Sequence, residues 1–85
     1  MPEEKVGVVT HYFGHIQVAA VRVTNGPLKV GDKIHFKGHT TDFAQAIDSM
    51  QIDNVNVQAA DVGAEIGMKV AQHARTHDEV FRVTE

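Results

Sequence analysis

The sequence contains no cysteine and no tryptophan, and it has only two prolines. Without cysteine, the chain can form neither a disulfide framework nor a thiolate metal site. Its length predicts one domain, residues 1–85, because a chain of this size buries somewhat over ~60% of the surface that it exposes when unfolded. Packing and backbone pairing must therefore supply its stability.

Long apolar runs and an excess of positive charge are also missing. No run approaches the roughly 20 residues of a membrane span, and the first residues, MPEEKV, lack the basic region and apolar stretch of a secretory signal. We therefore expect a cytoplasmic protein without a membrane partner. Eleven acidic residues against eight basic ones give a formal charge of −3, which argues against a protein that holds nucleic acid mainly by bulk electrostatics.

Short stretches rich in Val, Ile, Thr and aromatic residues alternate with Gly, Asn and Asp along the chain. They predict strands at residues 5–13, 15–24, 33–37, 64–70 and 79–84. We expect residues 1–4 to be a frayed end, 54–57 a short strand or extended connector, 58–63 a loop, and 71–78 a loop or a single helical turn. The strand at 15–24 has apolar residues on both faces, which indicates that it is partly covered on both sides or bends. Such a series is typical of an all-β barrel or sandwich.

The chain is organised around residues 28–38, LKVGDKIHFKG. Gly31-Asp32 is a strong turn signal, because Gly accepts positive φ and Asp can bond its own backbone. The strand that follows alternates apolar and polar residues. Its polar face carries Lys33, His35 and Lys37.

Residues 41–53 fit two patterns. Phe43, Ala44, Ile47 and Met50 lie at helix spacing, and the local Ala and Gln residues favour a helix. Phe43 and Ile47 also fit one face of a strand together with Gln45, provided that a bulge near residues 48–49 shifts the facing of the later residues. The pattern alone leaves helix and strand open.

Several of these segments together resemble the second domain of translational GTPases such as elongation factor Tu. They are LKVGD at 28–32, IDSM at 47–50, AADVG at 59–63 and IGMKV at 66–70. The resemblance implies a small closed antiparallel β-barrel of about six strands, in which residues 41–53 form a bent strand. The C-terminal barrel of collagenase-like peptidases is similar as well and shares the "VGD" turn.

The resemblance implies a non-enzymatic binding module that contacts RNA, the ribosome or a partner protein. The alternative is a peptidase-associated accessory barrel that binds a protein partner or substrate. No G-x-x-x-x-G-K-[ST] motif is present to cradle a nucleotide, so we expect neither nucleotide nor other cofactor. Ser49, the only serine, lacks the G-x-S-x-G elbow, and no catalytic constellation is recognisable.

A cluster of cations with nearby aromatic residues is the candidate contact surface for RNA or an anionic protein. A solvated strand face is the competing interpretation, and the negative net charge favours it. The candidate binding residues are Arg22, Lys29, Lys33, His35 and Lys37, with Tyr12 and Phe13.

Six histidines fall into three pairs spaced four residues apart. On a helix such a pair could share a zinc ion, whereas on a strand the two residues are about 13 Å apart. A small histidine-based metal-binding protein is therefore a further alternative, although solvent-facing positions are the expected outcome. The weak metal candidates are His11 and His15, which flank a predicted turn, and His73 and His77; the third pair is His35 and His39.

Overall fold

The computed structural model describes residues 3–83, and these residues form an all-β structure. Residues 3–83 contain no helix that is long and apolar enough to cross a membrane. The strands are β1 (Glu3–Phe13), β2 (Val18–Val23), β3 (Leu28–Lys29), β4 (Lys33–Lys37), β5 (Asp42–Ala46), β6 (Met50–Ile52), β7 (Val55–Val57), β8 (Ala59–Ala60), β9 (Glu65–Lys69) and β10 (Glu79–Val83).

Eight of these strands form one antiparallel sheet in the order β5-β4-β10-β1-β2-β9-β6-β7, and β3 pairs with β8 in a second, two-stranded sheet. The terminal strands of the larger sheet, β5 and β7, do not pair with each other. The predicted all-β class is confirmed, but the closed barrel of about six strands is not. The described part of the chain has more and shorter strands, and their backbone ladder does not close.

A side chain joins the sheet where the ladder is open. Gln45 on β5 donates from Nε2 to the carbonyl oxygen of Lys69 at 2.8 Å, and its Oε1 accepts from the amide of Ala71, also at 2.8 Å. The amide of Gln45 thus makes the two hydrogen bonds that a neighbouring backbone would make. It holds the edge strand β5 against the end of β9.

The core lies on the inner face of the large sheet, where buried residues of β2, β4 and β9 alternate with more exposed ones. On β4, Ile34 and Phe36 are fully buried while their neighbours face outward, as the alternation predicts. The Phe36 ring stacks on Phe43 of β5, with 4.8 Å between ring centroids and 13° between planes. Strand β4 therefore anchors the edge strand through both backbone pairing and ring stacking.

The predicted turn at Gly31-Asp32 is confirmed. Gly31 has φ of 98°, and the Asp32 carboxylate accepts a hydrogen bond from the Lys29 amide at 3.0 Å. The two-residue strands β3 and β8 were not predicted. Two residues are too few to show a period, and these strands are defined only by their pairing with each other.

Residues 41–53 are extended, as the strand alternative predicts, and they contribute β5 and β6. The strand is interrupted at residues 47–49. There Ile47 is buried, and its backbone forms hydrogen bonds with the backbone of residues 31 and 32. A two-residue turn then joins β6 to β7. Its residues Asp53 and Asn54 both have positive φ, 51° and 66°, as a type I′ hairpin requires.

Several predicted boundaries are wrong. Glu3 and Glu4 pair with β10 and are not frayed. The second strand begins at Val18, because residues 14–17 form a longer turn that includes Gln17 at φ of 55°. By contrast, residues 71–78 form a loop without a helical turn, which confirms the first of the two alternatives predicted for them. The predicted end of the last strand at residue 84 and the first two residues of the predicted frayed end lie outside the described residues.

Candidate functional site

An apolar groove lies on the outer face of β1, β2, β9 and β6. We define the outer groove by Phe13, Ile16, Val18, Ala20 and Gly67, and it has a volume of about 540 Å³. Its floor is formed by Ala20 and Gly67, which are direct cross-strand partners. Its wall carries Phe13 and Ile16, whose surfaces are 46% and 59% exposed.

The depth of the outer groove depends on the absence of a side chain at Gly67. A Cβ atom at this position would lie 3.4 Å from Cγ1 of Val18, which is already a tight contact. The register places Ala20 and then His11 next to Gly67 in the same outward row. Two small residues side by side therefore leave a trough between larger side chains.

Polar groups surround this apolar surface. Asp53 and Glu65 line the outer groove together with Gln51. Glu65 accepts a hydrogen bond from the hydroxyl of Thr10 at 2.5 Å, and Gln51 donates to Asn56 at 3.1 Å. Within residues 3–83, neither Asp53 nor Glu65 forms an ion pair. An apolar centre with a polar border is the usual composition of a protein-binding surface.

The predicted cation cluster is brought together only in part. Lys33, His35 and Lys37 do share the outer face of β4. Carboxylates from neighbouring strands are interleaved with them, and Lys37 lies 3.8 Å from Glu3. Its ammonium also stands over the Phe81 ring, 5.5 Å from the centroid. Cross-strand carboxylates thus offset the positive charge of this face.

The remaining candidate binding residues lie elsewhere. Arg22 is on β2, which β10 and β1 separate from β4, and Lys29 is on β3 in the other sheet. Tyr12 packs partly against the core and stacks on His73, with 4.3 Å between ring centroids. Phe13 belongs to the outer groove. A contact role for these seven residues stays a prediction.

Two of the metal-candidate histidines, His11 and His73, contact aromatic rings in the structure. His11 packs its ring against Phe13 at 4.3 Å, His73 stacks on Tyr12, and His77 lies in a loop with φ of 76°. In the part of the chain that the structure describes, no three His, Asp or Glu side chains come together as metal ligands. His15 lies in the turn before β2.

His35 is held between two carboxylates. Its Nδ1 lies 2.7 Å from Oε2 of Glu3, and its Nε2 lies 2.5 Å from Oδ1 of Asp42. We call these three residues the imidazole clamp. The sequence did not indicate it, because the three residues belong to different strands and Glu3 is 32 positions away from His35.

The hydrogen bonds that Glu3 and Asp42 accept from the His35 ring raise the pKa of His35 above its ordinary value of 6.5, with a smaller opposing effect of burial. The hydrogen bond from His35 lowers the pKa of Glu3 below 4.5, and the charges of His35 and Lys37 act in the same direction. His35 and Glu3 therefore each favour the charged form of the other.

Comparison with known proteins yields no matching family model. The chain is 30% identical over 82 residues to the uncharacterized protease MJ0090 of Methanocaldococcus jannaschii. That match covers 95% of this chain but 20% of the protease, so the chain spans about a fifth of the length of this relative.

Two crystal structures of the C-terminal domain of a putative U32 peptidase from Geobacillus thermoleovorans superimpose on almost the whole chain. One has a TM-score of 0.88 at 21% identity and covers 95% of this chain and 93% of its own. The other, a selenomethionine variant, has a TM-score of 0.85 at 21% identity and covers 91% and 96%. The chain has the fold of this peptidase domain. The predicted resemblance to the peptidase barrel is thus supported, whereas a resemblance to the translation-factor domain is not shown.

Proposed function

We propose that the chain is a non-catalytic accessory domain of the U32 peptidase type that binds a protein partner or a protein substrate through the outer groove. The observation that carries this proposal is the exposed apolar wall of Phe13 and Ile16 beside the Ala20–Gly67 floor. The match of nearly the whole chain to one part of a much longer protease supports the same function.

The physical argument starts from the cost of exposing these side chains. Burial of a side chain such as Ile or Phe contributes about 1.5–3 kcal/mol relative to exposure. Phe13 and Ile16 are about half exposed, so about half of that energy is not realised in the isolated domain. A partner that inserts an apolar side chain over Gly67 would recover it, and the polar groups of Gln51, Asp53 and Glu65 would orient that partner.

The proposal that the domain does not catalyse a reaction has separate support. Within residues 3–83, Ser49 makes no hydrogen bond to a histidine, and His35 has both ring nitrogens engaged by carboxylates. A histidine that acts as a general base needs a free ring nitrogen within hydrogen-bond reach of the proton that it removes.

The experiment compares proteins captured from native lysate by the wild type with those captured by groove variants. Ile16→Ser removes the most exposed part of the wall, and Gly67→Leu fills the trough. We expect wild type to capture peptidase subunits or their substrates, and each variant to capture at least about tenfold less, since about 1.4 kcal/mol corresponds to a factor of ten. Val62→Ser is the matched control, because Val62 is also 58% exposed and does not line the outer groove.

Two outcomes would contradict the proposal. Equal capture by wild type, Ile16→Ser and Gly67→Leu would show that the outer groove is not the binding surface. Capture of ribosomal proteins or RNA that falls steeply with salt would instead support the contact surface on Lys33, His35 and Lys37.

A further inference from the structure

The imidazole clamp has a definite protonation requirement. An ionised carboxylate only accepts hydrogen bonds, and a neutral imidazole has one N–H. His35 approaches Glu3 with Nδ1 and Asp42 with Nε2, both within hydrogen-bond distance. With both carboxylates ionised, the two contacts therefore need the doubly protonated ring. Loss of one proton would leave a ring lone pair facing a carboxylate oxygen.

We propose that the imidazole clamp is a proton-controlled latch that sets how tightly the edge strand β5 and the start of β1 are held to β4. This inference concerns another part of the sheet than the outer groove and does not depend on the proposed function.

The position of the three residues makes the latch structural. Asp42 is the first residue of β5, the terminal strand of the large sheet, and Glu3 lies at the start of β1. Strand β10 separates β1 from β4, so their backbones do not pair. His35 therefore connects three strands through side chains, and within residues 3–83 β4 is the only strand whose backbone pairs with β5.

Several charged side chains surround the clamp, and two of the lysines among them form ion pairs. On β4 itself, Lys33 and Lys37 share the outer face, and Lys37 also approaches Glu3. On β1 and β10, Lys5 and Glu79 form an ion pair at 2.9 Å. The two carboxylates of the clamp thus remain the groups in direct contact with the imidazole, which is 20% exposed.

The two pKa shifts define a window of pH. The raised pKa of His35 contributes stability that is complete below about 6.5 and is lost as pH rises through the folded-state value. The lowered pKa of Glu3 contributes stability that is complete above about 4.5 and is lost as pH falls through its folded-state value. The clamp is therefore tightest in mildly acidic solution and weakens on both sides.

The test measures two quantities that must agree. NMR titration of the wild-type histidine signals gives the pKa of His35, and amide hydrogen exchange gives the protection of Asp42–Ala46 after correction for the intrinsic rate. Opening of β5 releases Asp42 from His35 and leaves Glu3 in place, so each unit by which Asp42→Asn lowers the pKa of His35 should correspond to about a tenfold loss of wild-type β5 protection between the acidic and the alkaline plateau. In His35→Gln that pH dependence should be absent.

His39→Gln is the matched control, because His39 lies in the exposed turn just after β4 and contacts neither carboxylate. If His35→Gln fails to fold, Asp42→Asn and Glu3→Gln provide the same test, since each should bring the pKa of His35 part of the way back to its ordinary value. The latch is refuted if His35 titrates at or below 6.5, or if β5 protection changes equally with pH in wild type and His35→Gln.

Discussion

The side chain of Gln45 holds the open seam of the sheet, and its removal should have a measurable cost. Gln45→Ala would leave the carbonyl of Lys69 and the amide of Ala71 without the partner that each has at 2.8 Å. A neutral hydrogen bond contributes about 1 kcal/mol net, so the loss of two should reduce the free energy of unfolding by about 2 kcal/mol. For a domain of this length, that corresponds to a drop in Tm of about 10 °C.

A second substitution separates the two hydrogen bonds. Gln45→Glu keeps an acceptor for the Ala71 amide but cannot donate to the carbonyl of Lys69 when ionised. We expect Gln45→Glu to lower the free energy of unfolding by about 1 kcal/mol or more, because a carboxylate would then face a carbonyl oxygen. Urea denaturation followed by far-UV circular dichroism measures the stability of both variants. An unchanged dependence of the unfolding free energy on urea concentration would show that the unfolded state is not altered.

Gln51→Ala is the matched control for Gln45→Ala. Gln51 is exposed and makes a single side-chain hydrogen bond, to Asn56, so its removal should change the unfolding free energy by less than about 0.5 kcal/mol. If Gln45→Ala and Gln51→Ala prove equally mild, the seam does not depend on the Gln45 amide and the reasoning fails.

Two further substitutions, with Gly14→Ala as a control, test how tightly the domain is packed, and urea midpoints measure all three variants. Gly38→Ala would drive a methyl group into the buried carboxylate of Asp78 and should lower the free energy of unfolding by about 1–3 kcal/mol. Gly14→Ala should have a mild effect, because its Cβ atom would lie 3.7 Å from the Tyr12 ring. Phe36→Ala removes a fully buried ring and should cost about 3–5 kcal/mol, so a loss below 1 kcal/mol would show that this stack does not anchor the edge strand.

Local chemistry explains which features the sequence alone predicted. The alternation at Lys33–Lys37 reports directly which side chains face the core, because the side-chain period of a strand is two. The Gly31-Asp32 turn was also predictable from local chemistry, since the φ angle of Gly31 and the hydrogen bond between Asp32 and Lys29 involve residues of one turn. The apolar residues on both faces of the second strand were the one signal that pointed toward the outer groove.

The two candidate sites were not predictable in detail, because each is assembled by pairing between distant segments. The trough exists only because the register sets Ala20 opposite Gly67. The imidazole clamp needs Glu3 and His35 to meet across an intervening strand that comes from the other end of the chain. No local pattern carries such a register.

The sequence by itself determined the all-β class, the central turn and the facing of β4, because these depend on the intrinsic conformations of neighbouring residues. The tertiary structure alone decided whether the sheet closes, which cations lie beside carboxylates and where an apolar surface stays exposed. These properties depend on which strands become neighbours and in what register. At the open seam, that choice leaves the side chain of Gln45 to hydrogen-bond the backbone of Lys69 and Ala71.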